Sequence, residues 1–210
     1  GVVGSADVYK RQVLQRCAIL VSRMALTMPP PMFHDMVRAT ASWPDLCRRL
    51  ISTSATLSHA RSRKLVALGL AHMLRHASAQ DKGLLSAVPD MIGMWTEVVG
   101  EVVEDEAGSA DRYERELSPT RALEIGEDGI PFLDEFGLIE AAPTPSSART
   151  DAVRSRDPSF NVPLRAYVAD TLNAVLQNGS YKTQLQSLLA TIDPLVLDTL
   201  QRGLSERPVA

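Results

Sequence analysis

LSHARSRKLVALGLAHMLRHA, residues 57–77, is the stretch whose reading decides the fold. From Leu65 to Leu74 it is apolar almost all round, with His72 the one polar side chain. A run of this length at helical spacing predicts a helix. A helix without a polar face has to be covered on more than one side. Ser58 is placed to cap its start, and Arg61-Ser62-Arg63-Lys64 forms a polar first turn. An inner helix flanked by neighbours on two sides is the mark of a layered helical array.

Working outward, the same period recurs. Leu14, Cys17, Ala18, Val21, Met24 and Ala25 share one face of a helix over about 13–26, which TMPPPMF then stops. Three prolines there remove backbone donors and fix φ. A short helix follows over about 31–41, and Ser42 caps a third with Pro44 in its first turn. Beyond the opening stretch, a helix spans about 83–104, and Pro89 is expected to kink or split it. From 105 to 158 the periodicity fades into acidic, Gly-, Pro- and Ser-bearing sequence that cannot bury enough apolar surface to order itself. Helices return from 159. Asn178-Gly179 is expected to stop one of them in a left-handed turn, and Asp193-Pro194 to open the last. No strand pattern competes. The expectation is an all-α fold of HEAT-like antiparallel helix pairs, an α-solenoid fragment with a long disordered acidic insertion.

Composition narrows the function classes. Of 210 residues, 45% are apolar and 22% charged, as in an ordinary globular protein. No window approaches the roughly 18 uncharged apolar residues of a membrane span, so no membrane insertion is expected. The net charge of −3 conceals an acidic middle: residues 97–140 hold fourteen acidic and three basic residues. The first half is basic, but aromatics are 5% and the arginines are spread over several helices, so nucleic acid is not the expected partner. Cys17 and Cys47 lie within apolar helical patterns and are expected to be buried thiols rather than a disulfide.

No constellation for catalysis emerges. His72 and His76 share a helix face at a spacing that can hold a metal, but no third ligand accompanies them. Cys17 and His34 have nothing to orient them as a nucleophile pair. GEDG (126–129) lacks the strand before it and the Lys-Thr after it that a phosphate loop requires. Trp43 and Trp95 read as packing anchors. No catalytic residue, metal ligand or cofactor is expected, so the chain reads as a binding scaffold and not an enzyme.

Three stretches carry a resemblance. RSRKLVALGLAHML (61–74) resembles a helix near the C-terminus of importin-β superfamily transport receptors, in the importin-eleven-like branch. MIGMWTEVVGEVVEDEAGSADRYERE (91–116) resembles the helix and acidic linker that follow it. RDPSFNVPLRAYVADTLNAVLQ (156–177) with LLATIDPLVLDTLQRGL (188–204) resembles the closing helices of that branch. The upstream ILVSRMALTMPPPMFHDMV (19–37) matches more loosely, and the linker stretch 120–147 matches nothing in the family. The resemblance implies a nuclear transport receptor with protein cargo, weak contacts with nucleoporins, and Ran-GTP bound through N-terminal repeats that this sequence does not contain. No Ran or cargo residue is carried over. A HEAT scaffold unrelated to transport is the alternative.

The expected organisation is therefore 13–104 as HEAT-like helices, 105–158 as linker, and 159–206 as capping helices. Residues 1–12 stand apart. DVYKRQ (7–12) is what the transposase end of a sequencing library encodes in translation, so this segment is expected to be adaptor-derived and the native sequence to start near Val13. The basic turn at Arg61, Arg63 and Lys64 is the candidate partner contact.

Overall fold

The computed structural model describes residues 3–108, 157–179 and 181–205. Among them only helices and turns occur. In chain order these are α1 (Val3–Thr27), α2 (Pro30–Thr40), α3 (Trp43–Ser54), α4 (Ala60–Arg75), α5 (Lys82–Leu85), α6 (Val88–Gly108), α7 (Pro158–Asn161), α8 (Leu164–Gln177), α9 (Lys182–Leu189) and α10 (Pro194–Ser205). The expected linker falls almost wholly on residues outside those described.

The order of contacts defines two layers. In one, α1 packs on α4 and α4 on α8. In the other, α3 packs on α6 and α6 on α10. Across the layers α1 meets α3, α4 meets α6, and α8 meets α10. That is a stack of three helix pairs, with the short helices as connectors.

α4 lies at the centre, as its sequence requires. Every residue from Lys64 to Leu74 except His72 is buried. It meets α1, α3, α6, α7 and α8. Each Leu of this run contributes about 1.5–3 kcal/mol by leaving water. Gly69 sits at the crossing with α1, where a Cβ would come within 2.9 Å of the Ser22 Cβ. The two backbones meet there over Ser22, whose hydroxyl donates back to the Ala18 carbonyl at 2.8 Å and so is satisfied while buried.

Local signals explain most boundaries. The Asp45 amide donates to Ser42 Oγ at 3.3 Å, with Pro44 in the first turn of α3. The 83–104 helix is split: α5 ends at Leu85, and Pro89 stands in the first turn of α6, where its missing N–H costs no helical bond. The Leu195 amide donates to Asp193 Oδ1 at 2.8 Å to open α10.

Several expectations change. His59, not Ser58, occupies the cap position of α4, and it makes no side-chain cap bond. α8 ends without a left-handed residue, because Asn178 is extended at φ −73° and Gly179 has no positive φ. Cys47 is buried but Cys17 is exposed. Residues 3–12 carry no apolar period, yet they continue α1 as its first turns, with Asp7 to Gln12 all exposed. Backbone hydrogen bonding propagates a helix past the point where packing stops supporting it.

Candidate partner surface

The basic turn of α4 is turned inward. Arg61 donates through Nε to Ser159 Oγ and through a terminal nitrogen to Asp157 Oδ2, both at 2.8 Å. Arg63 reaches across to α6, pairing with Glu97 at 3.1 Å and with Glu101. Lys64 is 6% exposed. A first turn that reads as polar in sequence is thus spent on fixing neighbouring elements, because α4 is covered there on several sides.

Asp157, beside its Pro158, is the acceptor at the centre of this arrangement. Besides Arg61 it takes Arg23 of α1 at 2.8 Å, and its other oxygen takes the Ser159 amide and hydroxyl at 3.0 and 2.7 Å. Burial raises the cost of its charge, but the bonds from Arg61, Ser159 and Arg23 outweigh it and hold the carboxyl well below the usual carboxylate range. One carboxylate therefore joins α1, α4 and α7.

Asp81 does the same at the turn before α5. Its oxygens take the Ser78 amide and hydroxyl at 2.9 and 2.7 Å, Trp43 Nε1 at 2.9 Å, Arg38 at 2.9 Å, and His34 Nδ1 at 3.0 Å. Burial again opposes the charge, and the bonds from Ser78, His34 and Trp43 overcome it, leaving the carboxyl well below its ordinary range. Sequence reading missed both aspartates. Each has a local signal, Ser78-x-x-Asp81 and Asp157-Pro158-Ser159, but their partners lie as far as 134 positions away.

The remaining candidates find structural places. His72 bonds Tyr167 of α8 at 2.5 Å and its ring lies 4.5 Å from that of His76. Burial first, then the positive charge of His76, Arg75 and His34, pushes His72 down to about 4. Among the described residues no group of three or more His, Cys, Asp or Glu is placed to hold a metal ion. His34 is committed to Asp81, away from any thiol role. Burial pushes the Cys47 thiol up to about 12, which leaves it protonated and inert. Trp95 donates to the Ala67 carbonyl at 3.1 Å and anchors α6 on α4.

An open concavity among the described residues lies in the other layer. A groove of about 450 Å³ runs between α3 and α6, lined among others by Arg48, Ile51, Arg63, Gly93, Met94 and Glu97.

The described residues thus form a stack of helix pairs with internal ionic ties and an open inter-helix groove. The family described as "Importin-11-like, TPR repeats" matches residues 4–205. The chain belongs to the importin-11-like family. Its repeats carry the TPR name there, where the sequence led to HEAT-like pairs; both are helix hairpins stacked in two layers. The importin-11-like match covers the folded residues on both sides of the acidic stretch, and it is an importin-β family region, from a family of transport receptors that are not enzymes. No curated protein and no solved structure matches this importin-11-like chain. No described helix is long and apolar enough to cross a membrane.

Proposed function

We propose that this region closes the solenoid of a nuclear import receptor that carries protein cargo through the nuclear pore under Ran-GTP control, shuttling between cytoplasm and nucleus. The observation that carries the reading is the importin-11-like match across 4–205, laid on a two-layer stack of helix pairs. The chain's part is to end the array and to offer the α3–α6 layer as a portion of the cargo-binding surface. Nucleoporin contacts and Ran-GTP binding belong to the whole receptor in this reading. Of the candidate contact Arg61, Arg63 and Lys64, Arg63 lines the α3–α6 groove and is the residue placed to meet cargo directly, while Arg61 supports the surface by holding Asp157 and Ser159.

The test is Ran-GTP binding and cargo import by the receptor carrying this region, compared with the receptor truncated before α1. Ran-GTP binding together with cargo loss on truncation is expected. A protein that neither binds Ran-GTP nor accumulates cargo in nuclei would instead be a helical scaffold unrelated to transport. We also read residues 1–12 as adaptor-derived; genomic sequence across the codons of Gln12 and Val13 decides it, and an uninterrupted native frame reading DVYKRQ overturns it.

A further inference from the structure

The α3–α6 groove combines an apolar floor with an unbalanced charge. Ile51 on α3 is half-buried, and Met94 on α6 is buried beneath the groove. Between them Gly93 has nothing within 4 Å of an added Cβ, so an incoming side chain can reach the α6 backbone there. The unbranched thioether of Met94 can adjust to the shape of what enters. The two arginines of the groove are already engaged. Arg48 is held by Asp45 of its own helix at 2.8 Å. Arg63 is shared between Glu97 and Glu101. One guanidinium balances only one of two carboxylates, and the Glu97 side chain is 67% exposed. Asp90, also exposed, adds a further carboxylate to the same wall. The α6 side of the groove is therefore short of positive charge, and a cleft of one sign draws the opposite sign to it.

We propose that this groove takes a basic segment of a protein partner that carries one branched aliphatic side chain. The aliphatic group seats over Gly93, between Ile51 and Met94, and a lysine or arginine beside it pairs with Glu97 while Arg63 keeps Glu101. An acidic segment fits less well, because Asp90 and Glu97 repel it, and the same repulsion weighs against nucleic acid. This partner chemistry rests on the reading of the α3–α6 layer as cargo surface, but the two can fail separately. A receptor that imports nothing while its groove binds such a segment loses the transport reading alone. A receptor that imports cargo while the groove binds no such segment loses the groove assignment alone.

Fluorescence anisotropy of the chain with a labelled alanine–lysine peptide bearing one central leucine tests this. Binding should weaken about tenfold or more when that leucine is replaced by alanine, and it should be lost when the lysines are replaced by glutamates. Gly93→Leu fills the floor and should abolish binding. Gly100→Leu, on the same helix and equally free of neighbours around its Cβ, lies outside the groove lining and should leave binding unchanged. Glu97→Lys should also weaken the lysine peptide, and it serves alone if Gly93→Leu does not fold. Binding that survives these groove variants, as it would at the acidic stretch of the sequence, overturns the proposal. So does the absence of measurable binding, and so does equal binding of the leucine and alanine peptides. Preference for the glutamate peptide overturns it as well, and would assign the groove to an acidic partner through Arg48 and Arg63.

Discussion

Asp157 takes Arg23, Arg61 and Ser159 on a carboxylate that is 5% exposed. Removing one partner of a buried pair leaves the other charges without compensation. Asp157→Ala is therefore expected to cost about 3 kcal/mol, the low end for buried pairs, because Arg23 still reaches water. Asp157→Asn keeps an acceptor for Ser159 and should cost less. Urea midpoints read both, and hydrogen exchange should show α7 and α8 opening first. An Ala variant with an unchanged midpoint would mean that the ionic tie contributes nothing. pH separates a second residue-scale effect. His72 is pushed to about 4 in the fold, against about 6.5 in an unfolded chain. The unfolded chain thus takes up the proton first. This contribution to stability is complete above about pH 6.5 and is lost as pH falls toward 4. His76, also lowered by burial, Arg75 and His34, acts in the same direction. Asp81 and Asp157 lose their contribution only below about pH 3.8, where unfolded carboxylates protonate. Melting temperature should fall between pH 7 and 4.5, and His72→Phe should flatten part of that slope. An unchanged slope in the variant would remove His72 as its source.

At the scale of elements, glycines separate packing from propensity. A Cβ on Gly69 would meet the Ser22 Cβ at 2.9 Å and its Cα at 3.0 Å, so helix backbone, not a flexible side-chain end, has to move. Gly69→Ala is expected to destabilise by about 1–3 kcal/mol through overpacking, less a gain in helix propensity of under ~1 kcal/mol. Gly93, on α6 at the groove, has nothing within 4 Å of its added Cβ. Gly93→Ala should stabilise by about 0.5–1 kcal/mol. Thermal melts of the pair, one down and one up, check the α1–α4 crossing directly. The same scale shows what was legible in the sequence. The all-round apolar run of α4 identified the central helix, because periodicity records how many sides are covered. Pro89 and Pro44 marked helix starts, because a missing N–H is a local property. Cys17 misled because α1 is apolar on two faces, and periodicity does not say which one the stack covers. The roles of Arg61 and Arg63 were hidden for another reason. A charge in a first turn looks the same whether it faces water or an aspartate 96 positions later.

For the whole molecule, the contacts make a claim about assembly. The third helix pair is joined to the first two by α8 on α4, α10 on α6, α7 on α4, and the Asp157 tie to α1 and α4. Leu164, Val168 and Leu200 are buried in these seams, and Gly203 lets α10 approach so closely that an added Cβ would lie 2.9 Å from Val99. All of these contacts are made between described residues. Cleavage of the chain within 109–156 should therefore leave two pieces that remain associated, since the apolar seams and the buried carboxylate do not depend on a covalent link. Limited proteolysis followed by size-exclusion chromatography reads this: one peak holding both pieces is expected. Cleaved Asp157→Ala should separate at a lower urea concentration than the cleaved parent, because the seams remain while the tie is gone. Pieces that elute apart in native buffer would show that the seams alone are too weak, and that chain connectivity supplies what holds the last pair on the stack.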